Sequence, residues 1–289
     1  MKKILLIDGN LLLFRSFYAG QTISKELSNI GVHLFFNSFF EIFKSEDPTY
    51  VFFAFDAFGP TKRHEEFEQY KAGRIKAPKE LYDQKEIICE ILSTMKFKHF
   101  SKIGDEADDL IASISHKYKD NNKISIFSED KDLLQLIDDN VDVIVKNKNK
   151  NINSKYIKIN NENFYGMFNF FPYQIIDFKG IAGDNSDNLP GIKGIGSKQA
   201  INLLNKYKTL EGIYENIDQL TKKQKELFLA NKSESMLCKK LATLNKFVEI
   251  DFDLDEMLVS LDNLKNDNVY NVLNKYQLKR ILNIINNLK

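Results

Sequence analysis

Residues 183–200, Gly-Asp-Asn-Ser-Asp-Asn-Leu-Pro-Gly-Ile-Lys-Gly-Ile-Gly-Ser-Lys-Gln-Ala, set two kinds of chemistry side by side. Asp184 and Asp187 are spaced so that one tight turn aims both carboxylates the same way. Pro190-Gly191 and the Gly194-Ile195-Gly196 turn follow. Ala200, Ile201, Leu203 and Leu204 then read as the buried face of a helix starting near Ser197. A glycine-rich turn that feeds a helix N-terminus offers free N–H groups and partial positive charge, which suits phosphate. Lys193 and Lys198 flank it. The plainer alternative is an Asx-rich loop before an ordinary helix. It explains the Asp pair more easily than the pair and the turn together.

Other acids add to this pair. Asp8, Asp56 and Asp130 each close a short apolar run, Asp132 follows Asp130, and Glu106, Asp108 and Asp109 lie in the dense cluster 104–109. If a helix starts near Asp105, Glu106 and Asp109 share a face. Acids in a helix's first turn each contribute about 0.3–1 kcal/mol through the dipole, which accounts for one or two of them but not for all. If the fold gathers these carboxylates, each close pair repels by about 1 kcal/mol in water and about 4 kcal/mol at an effective dielectric near 20. Protons or cations must neutralise them. All-oxygen donors select hard ions, Mg²⁺ or Mn²⁺, with Ca²⁺ an alternative. The histidines, His33, His64, His99 and His116, show no zinc-type spacing. Carboxylates beside a phosphate-gripping turn point to phosphodiester chemistry, in which two ions roughly 3.5–4 Å apart activate water and stabilise the leaving oxygen. The chain has no Walker-type phosphate loop, which disfavours nucleotide hydrolysis, and no Ser-His-Asp or Cys-His arrangement stands out.

The elements that must position these groups alternate. Residues 3–7, 50–55, 123–127 and 141–145 are short continuous apolar runs that fit strands buried on both faces. Residues 29–43, 82–95 and 108–118 fit amphipathic helices between them. The pattern predicts an α/β fold with a mainly parallel central sheet, whose sites form beyond the carboxyl ends of strands. Asp8, Asp56 and Asp130 fall at or near such ends. Residues 59–80 are polar and basic. Lys62, Arg63, Lys71, Arg74, Lys76 and Lys79 could contact phosphates and Tyr70 could stack on a base, but by itself the segment reads better as a solvated loop, since Glu65, Glu66 and Glu68 are there too. Residues 146–155 read as a polar loop or hairpin tip. Helices dominate from Phe164 onward, including 237–247 and 268–288, which divides the chain into units of residues 1–165 and 166–289.

Bulk properties set the limits. The chain has 289 residues, 43% of them hydrophobic, enough for one large domain or two small ones. No stretch approaches the roughly 20 apolar residues of a membrane helix, and the apolar run after Met1-Lys2-Lys3 is short for a signal peptide. Cys89 and Cys238 build no disulfide framework, so a reduced, cytoplasmic setting is expected. The net charge of +1, from 41 basic and 40 acidic residues, neither favours nor excludes a nucleic-acid partner, because clustered acids mask a basic surface in the sum.

These residues together resemble the 5′ nuclease family, most of all the 5′–3′ exonuclease domain at the N-terminus of bacterial DNA polymerase I, with phage and eukaryotic flap endonucleases as relatives. The matching pieces come in order: Ile7-Asp8-Gly9-Asn10 through Arg15, Ala54-Phe55-Asp56, Arg63-His64-Glu65, and Tyr70-Lys71-Ala72-Gly73-Arg74. Then follow Glu106-Ala107-Asp108-Asp109, Asp130-Lys131-Asp132-Leu133, Gly183 to Asn188, and Gly191 to Gly196. They extend over roughly residues 4–205. The resemblance implies a PIN-like nuclease core with a helical arch near residues 59–80. It also implies a helix–turn–helix, near residues 183–205, that grips duplex DNA through Lys193, Gly194, Gly196, Ser197 and Lys198. Asp8, Asp56, Glu106, Asp108 and Asp109 would hold one metal ion, and Asp130, Asp132, Asp184 and Asp187 a second. Lys71 and Arg74 would stabilise the scissile phosphate, Arg15, Arg63 and Tyr70 would meet the substrate, and turn carbonyls would hold K⁺. The implied activity is a Mg²⁺-dependent 5′–3′ exonuclease and 5′ flap endonuclease on double-stranded DNA, serving primer removal in replication and DNA repair, with any polymerase partner a separate chain. The alternative is a non-catalytic DNA-junction-binding protein. Glu129, before Asp130, departs from the family's usual small residue and adds an acid beside the site.

Overall fold

The computed structural model describes residues 1–23, 29–73, 76–148 and 154–288. Its centre is a six-stranded sheet in the order β3-β2-β1-β4-β5-β6. The strands are β1 (Lys2–Asp8), β2 (Tyr50–Ala54), β3 (Lys98–Phe100), β4 (Asn122–Phe127), β5 (Val141–Lys146) and β6 (Tyr156–Ile159). The first five run parallel and β6 is an antiparallel edge. Both faces are covered, which is why the central strands are apolar at nearly every position. In β1, Leu5 and Ile7 enter one core cluster while Ile4 and Leu6 enter another; in β2, Val51 and Phe53 divide from Tyr50, Phe52 and Ala54 in the same way.

The first face carries α1 (Gly9–Ile23), α2 (Ile30–Glu46) and, beyond the short α3 (Lys62–Glu66), α4 (Lys79–Thr94). Its core is aromatic, with Phe35, Phe36, Phe39, Phe40 and Phe43 of α2 fully or nearly buried around Phe53 and Phe97. The second face carries α5 (Ala107–Tyr118), the 3₁₀ turn Asp132–Leu136 and α6 (Asn161–Phe168). Beyond α6 the chain is helical: α7 (Ile175–Ala182), α8 (Ser197–Tyr207), α9 (Leu210–Glu215), α10 (Lys222–Ala230), α11 (Lys232–Ala242), α12 (Leu261–Leu264), α13 (Asp267–Lys275) and α14 (Lys279–Asn286). Ile181, Ile192, Ile195, Leu203, Leu204 and Phe228 form a small core of their own there. The last helices return to the first face, where Val269, Leu273, Ile281 and Ile285 join the α2 and α4 cluster. Among the described residues, no helix is long and apolar enough to cross a membrane.

The expected strands and helices are present, with local differences. β3 is too short to show periodicity, and β6 pairs antiparallel with β5 as an edge; residues 149–153 of the loop or hairpin tip anticipated at 146–155 lie outside the described residues. The helix expected over 237–247 stops at Ala242, because the next peptide groups are taken by side chains. Leu244 N donates to Gln135 Oε1 at 3.1 Å and Asn245 N to Asp109 Oδ1 at 2.8 Å. The helix expected over 268–288 is broken where Gln277 takes φ 58° and Leu278 N donates to Leu273 O at 2.8 Å.

Candidate functional site

Sheet register gathers the first acids. β1 is flanked by β2 and β4, with Asp8 opposite Ala54 and Ile7 opposite Phe127. Three adjacent strands therefore end at nearly one level, and Asp8, the last residue of β1, shares that edge with Asp56 and Asp130, which lie just beyond β2 and β4. The strand order reverses at β1 and β4, the switch point at which open parallel sheets place their sites.

Asp8 has a local task as well. Its Oδ1 accepts Leu11 N at 2.9 Å, capping α1, while Ser128 Oγ donates to its Oδ2 at 2.8 Å. It is 4% exposed, and burial, followed by the charges of Asp130 and Asp56 and opposed by these hydrogen bonds, pushes its pKa up to about 7. Asp56 Oδ1 accepts Ala107 N at 2.8 Å, its Oδ2 accepts from Asn10, and burial raises its pKa too. The N-terminus of α5 is thus fixed on Asp56. Asp108, in the first turn of α5, has a pKa well above the ordinary carboxylate range because of the surrounding protein and the charges of Asp130 and Asp8. A cavity of about 310 Å³ is walled by Asp8, Asp56, Glu106, Asp108, Asp130 and Lys71. Lys71 Nζ lies 2.9 Å from Glu106 Oε2.

Asp130 also lines a second cavity of about 740 Å³, together with Asp132, Lys179 and Asp184. Lys179, on α7 and 7% exposed, pairs with Asp132 and, at 2.5 Å, with Asp184. Burial pushes Asp132 up to about 7 despite Lys179. For the less enclosed Asp184, burial also raises the pKa, but Lys179 and Ser186 outweigh it and hold the group below its ordinary value. Asp187 is buried between these sets, with Tyr70 Oη 3.5 Å from its Oδ2. Among the described residues, no three of these side chains close on one point at metal-ligand spacing; Lys71 and Lys179 supply the positive charge at the two cavities. An all-carboxylate donor set suits hard divalent cations.

The remaining predicted residues are placed differently. Asp109 is 2% exposed and lines neither carboxylate cavity. Its carboxylate accepts Arg63 Nη1 and Nη2, each at 2.7 Å, and the backbone N–H of Glu106 at 3.2 Å. Asp109 thus ties the Arg63 guanidinium to the first turn of α5. Arg63, expected at DNA, is consumed by that pair and by the Leu241 and Thr243 carbonyls. Tyr70, expected to stack on a base, is buried, and its hydroxyl donates to Glu106 at 3.2 Å. Segment 61–73 is folded down onto the acids, with Lys71 N donating to Asp187 O at 3.2 Å. Arg15 Nη1 pairs with Glu129 Oε1 at 2.5 Å, so the extra acid is neutralised locally. Arg74 lies outside the described residues.

The turn before α8 follows the expected design. Ile192 and Ile195 are buried in the small helical core, while Lys193, Gly194, Gly196, Ser197 and Lys198 are exposed. Gly191 has φ 63°, and a Cβ there would lie 2.3 Å from Gly183 N, because Asp184 and Leu189 exchange backbone hydrogen bonds at 2.8 Å and draw the two glycines together. A Cβ at Gly196 would meet nothing within 4 Å. Gly191→Ala is expected to destabilise the protein by about 1–3 kcal/mol, and Gly196→Ala by well under that, as read by urea unfolding. Equal losses would show that the glycines are not needed for this backbone approach.

Sequence reasoning missed Lys179 and Asn10 as site residues. A lysine inside the apolar run Ile175 to Ile181 was the available signal for the first, since a charge in a buried helix requires a partner.

A family model described as 5′-3′ exonuclease, N-terminal resolvase-like domain, matches residues 3–163, and one described as 5′-3′ exonuclease, C-terminal SAM fold, matches residues 170–265. The chain is 41% identical over 284 residues to a 5′-3′ exonuclease of Mycoplasmopsis pulmonis, covering 97% of this chain and 93% of that one. It is 37% identical over 247 residues to DNA polymerase I of Bacillus subtilis, covering 84% of this chain but only 28% of that protein. Among solved structures, a T5 5′-exonuclease with bound zinc aligns with TM-score 0.69 at 22% identity, over 98% of this chain and 100% of that one. The catalytic core of Rad2 in complex with DNA substrate aligns with TM-score 0.64 at 15% identity, over 100% of this chain and 92% of that one. At these identities the structural likeness is one of fold.

Proposed function

The chain belongs to the 5′-3′ exonuclease family, and on that premise we propose a metal-dependent 5′-3′ exonuclease and structure-specific 5′ flap endonuclease that hydrolyses phosphodiester bonds in double-stranded DNA. The observation that carries this reading is the pair of adjoining carboxylate cavities that share Asp130. Asp8, Asp56, Glu106 and Asp108 would hold one divalent ion, Mg²⁺ or Mn²⁺. Asp132 and Asp184 would hold the other, with Asp130 between the two and Asp187 behind them. Bound there, such ions supply a deprotonated water and neutralise the leaving oxygen. The chain's own groups do the rest. Lys71 presents a cation at the mouth of the first cavity, and Lys179 limits repulsion between Asp132 and Asp184. Asp109 and Arg63 lock the start of α5 and so aim Glu106 and Asp108.

The exposed residues of the turn, Lys193, Gly194, Gly196, Ser197 and Lys198, support duplex binding through phosphates, indifferent to base sequence. K⁺ at its carbonyls, Arg15 and Arg74 at the substrate, roles in primer removal and repair, a separate polymerase partner and a domain division near residue 165 belong to the same proposal. Lys198→Ala is expected to reduce the slope of log affinity against log salt by about 1. An unchanged slope removes Lys198 from the phosphate contacts.

The direct test is a duplex carrying a labelled 5′ flap, incubated with Mg²⁺ or with EDTA. Short labelled products that appear only with metal are expected. Tight binding without cleavage, in Mg²⁺ and in Mn²⁺, would replace the nuclease by a junction-binding protein.

A further inference from the structure

The larger cavity holds more than its acids need. Asp130, Asp132 and Asp184 line it together with an apolar set that includes Met167, Phe168, Phe170 and Phe178. The aromatic wall is ordered in near-parallel pairs. Phe170 and Phe178 stack at 5.1 Å with 10° between planes, and Phe164 and Phe168 at 4.5 Å with 29°. Met167, 47% exposed, lies at the edge of this wall, and Asn169, Asn185 and Ser186 add hydrogen-bonding groups to the lining. A volume of about 740 Å³ is within the range of sites that enclose a small ligand, roughly 300–1,000 Å³.

We propose that this cavity receives one unpaired nucleobase of the DNA strand being cut, held against the Met167 and Phe168 side of the apolar wall. This rests on the nuclease reading above. Three observations select that occupant. Leu11 and Asp130 line both cavities, so a strand that enters the first adjoins the second. Lys179 neutralises part of the acidic wall, which lowers the repulsion an incoming phosphate would feel. Flat, apolar, sequence-tolerant surfaces are what stack on bases, since every base has a π-face, whereas Asn and Ser groups can meet a base edge. A base left unpaired at a junction has lost its stacking partner, and an apolar face that accepts it offsets that cost.

The test is a walk of single abasic positions through a flap duplex on both sides of the junction. Binding is measured in Ca²⁺ with the DNA verified intact, and cleavage separately in Mg²⁺. Wild type is expected to lose about tenfold in affinity at one abasic position near the junction. Met167→Ala should bind the intact duplex correspondingly less well and lose nothing further at that position; Asn185→Ala, a second exposed site, should show a smaller version of the same coupling. If no position is singled out, or if the abasic loss is unchanged in both variants while Mg²⁺-dependent cutting persists, the base pocket is overturned and the nuclease reading stands. If the wild-type protein neither binds nor cuts the duplex, both fall.

Discussion

Asp8→Asn is expected to lower cleavage by about 10²–10³-fold or more, on the scale of losing one preorganised electrostatic group, while stabilising the metal-free protein. The second half follows from burial. Folding carries this carboxyl from 3.8 to about 7, so the folded chain binds its proton more tightly than the unfolded chain does. Metal-free wild type therefore gains stability as pH falls from about 7 toward 4, and above pH 7 the buried charge costs at most roughly 4 kcal/mol. Asparagine removes the charge and keeps the contacts: its oxygen can still accept Leu11 N, and its amide can donate to Ser128 Oγ. Thermal melts in EDTA at pH 8 should show the variant more stable than wild type, with the difference shrinking at pH 5. Single-turnover cleavage in Mg²⁺ gives the activity. A variant that cuts normally, or one that melts lower at pH 8, would show that Asp8 is a structural cap and not a charged wall of the site. The pairing of lost activity with gained stability is the signature of a group held in place for function against its own solvation.

Arg63→Ala is expected to cost about 3–5 kcal/mol of folding stability, the price of a buried charge left without its partner. Asp109 would lose both guanidinium bonds, and Glu106 would lose Nη1 at 3.2 Å while keeping Lys71 at 2.9 Å. The two backbone N–H groups of Glu106 and Asn245 would remain on Asp109, which keeps the loss from being larger. Urea unfolding measures it. Loss of DNA affinity with unchanged stability would return Arg63 to the substrate surface. The double variant Arg63→Ala, Asp109→Ala separates the two cases further, because removing both charges should recover part of the stability lost with Arg63 alone.

The sequence by itself determined the elements and the inventory of chemistry. Short apolar runs alternating with amphipathic stretches fit central parallel strands, and an acid that follows such a strand stands at or near its carboxyl end. Asp8, Asp56 and Asp130 were legible for that reason. The turn Gly191 to Gly196 was legible because its alternation of isoleucine with glycine and lysine is a local code, read within a few residues. Spacing says nothing, however, about which groups meet across the fold. Arg63 and Asp109 are 46 positions apart, Lys179 and Asp132 47, and Arg15 and Glu129 114. Their pairing depends on the register of β1 with β2 and β4 and on how α5 and α7 dock onto that sheet. Only that docking leaves Asp109 outside both carboxylate cavities, buries Tyr70, and divides the other acids between two cavities around Asp130. A carboxylate's type and position fix the charge it brings, but whether that charge is spent on an arginine, a helix start or an open cavity is set by neighbours that arrive from distant parts of the chain.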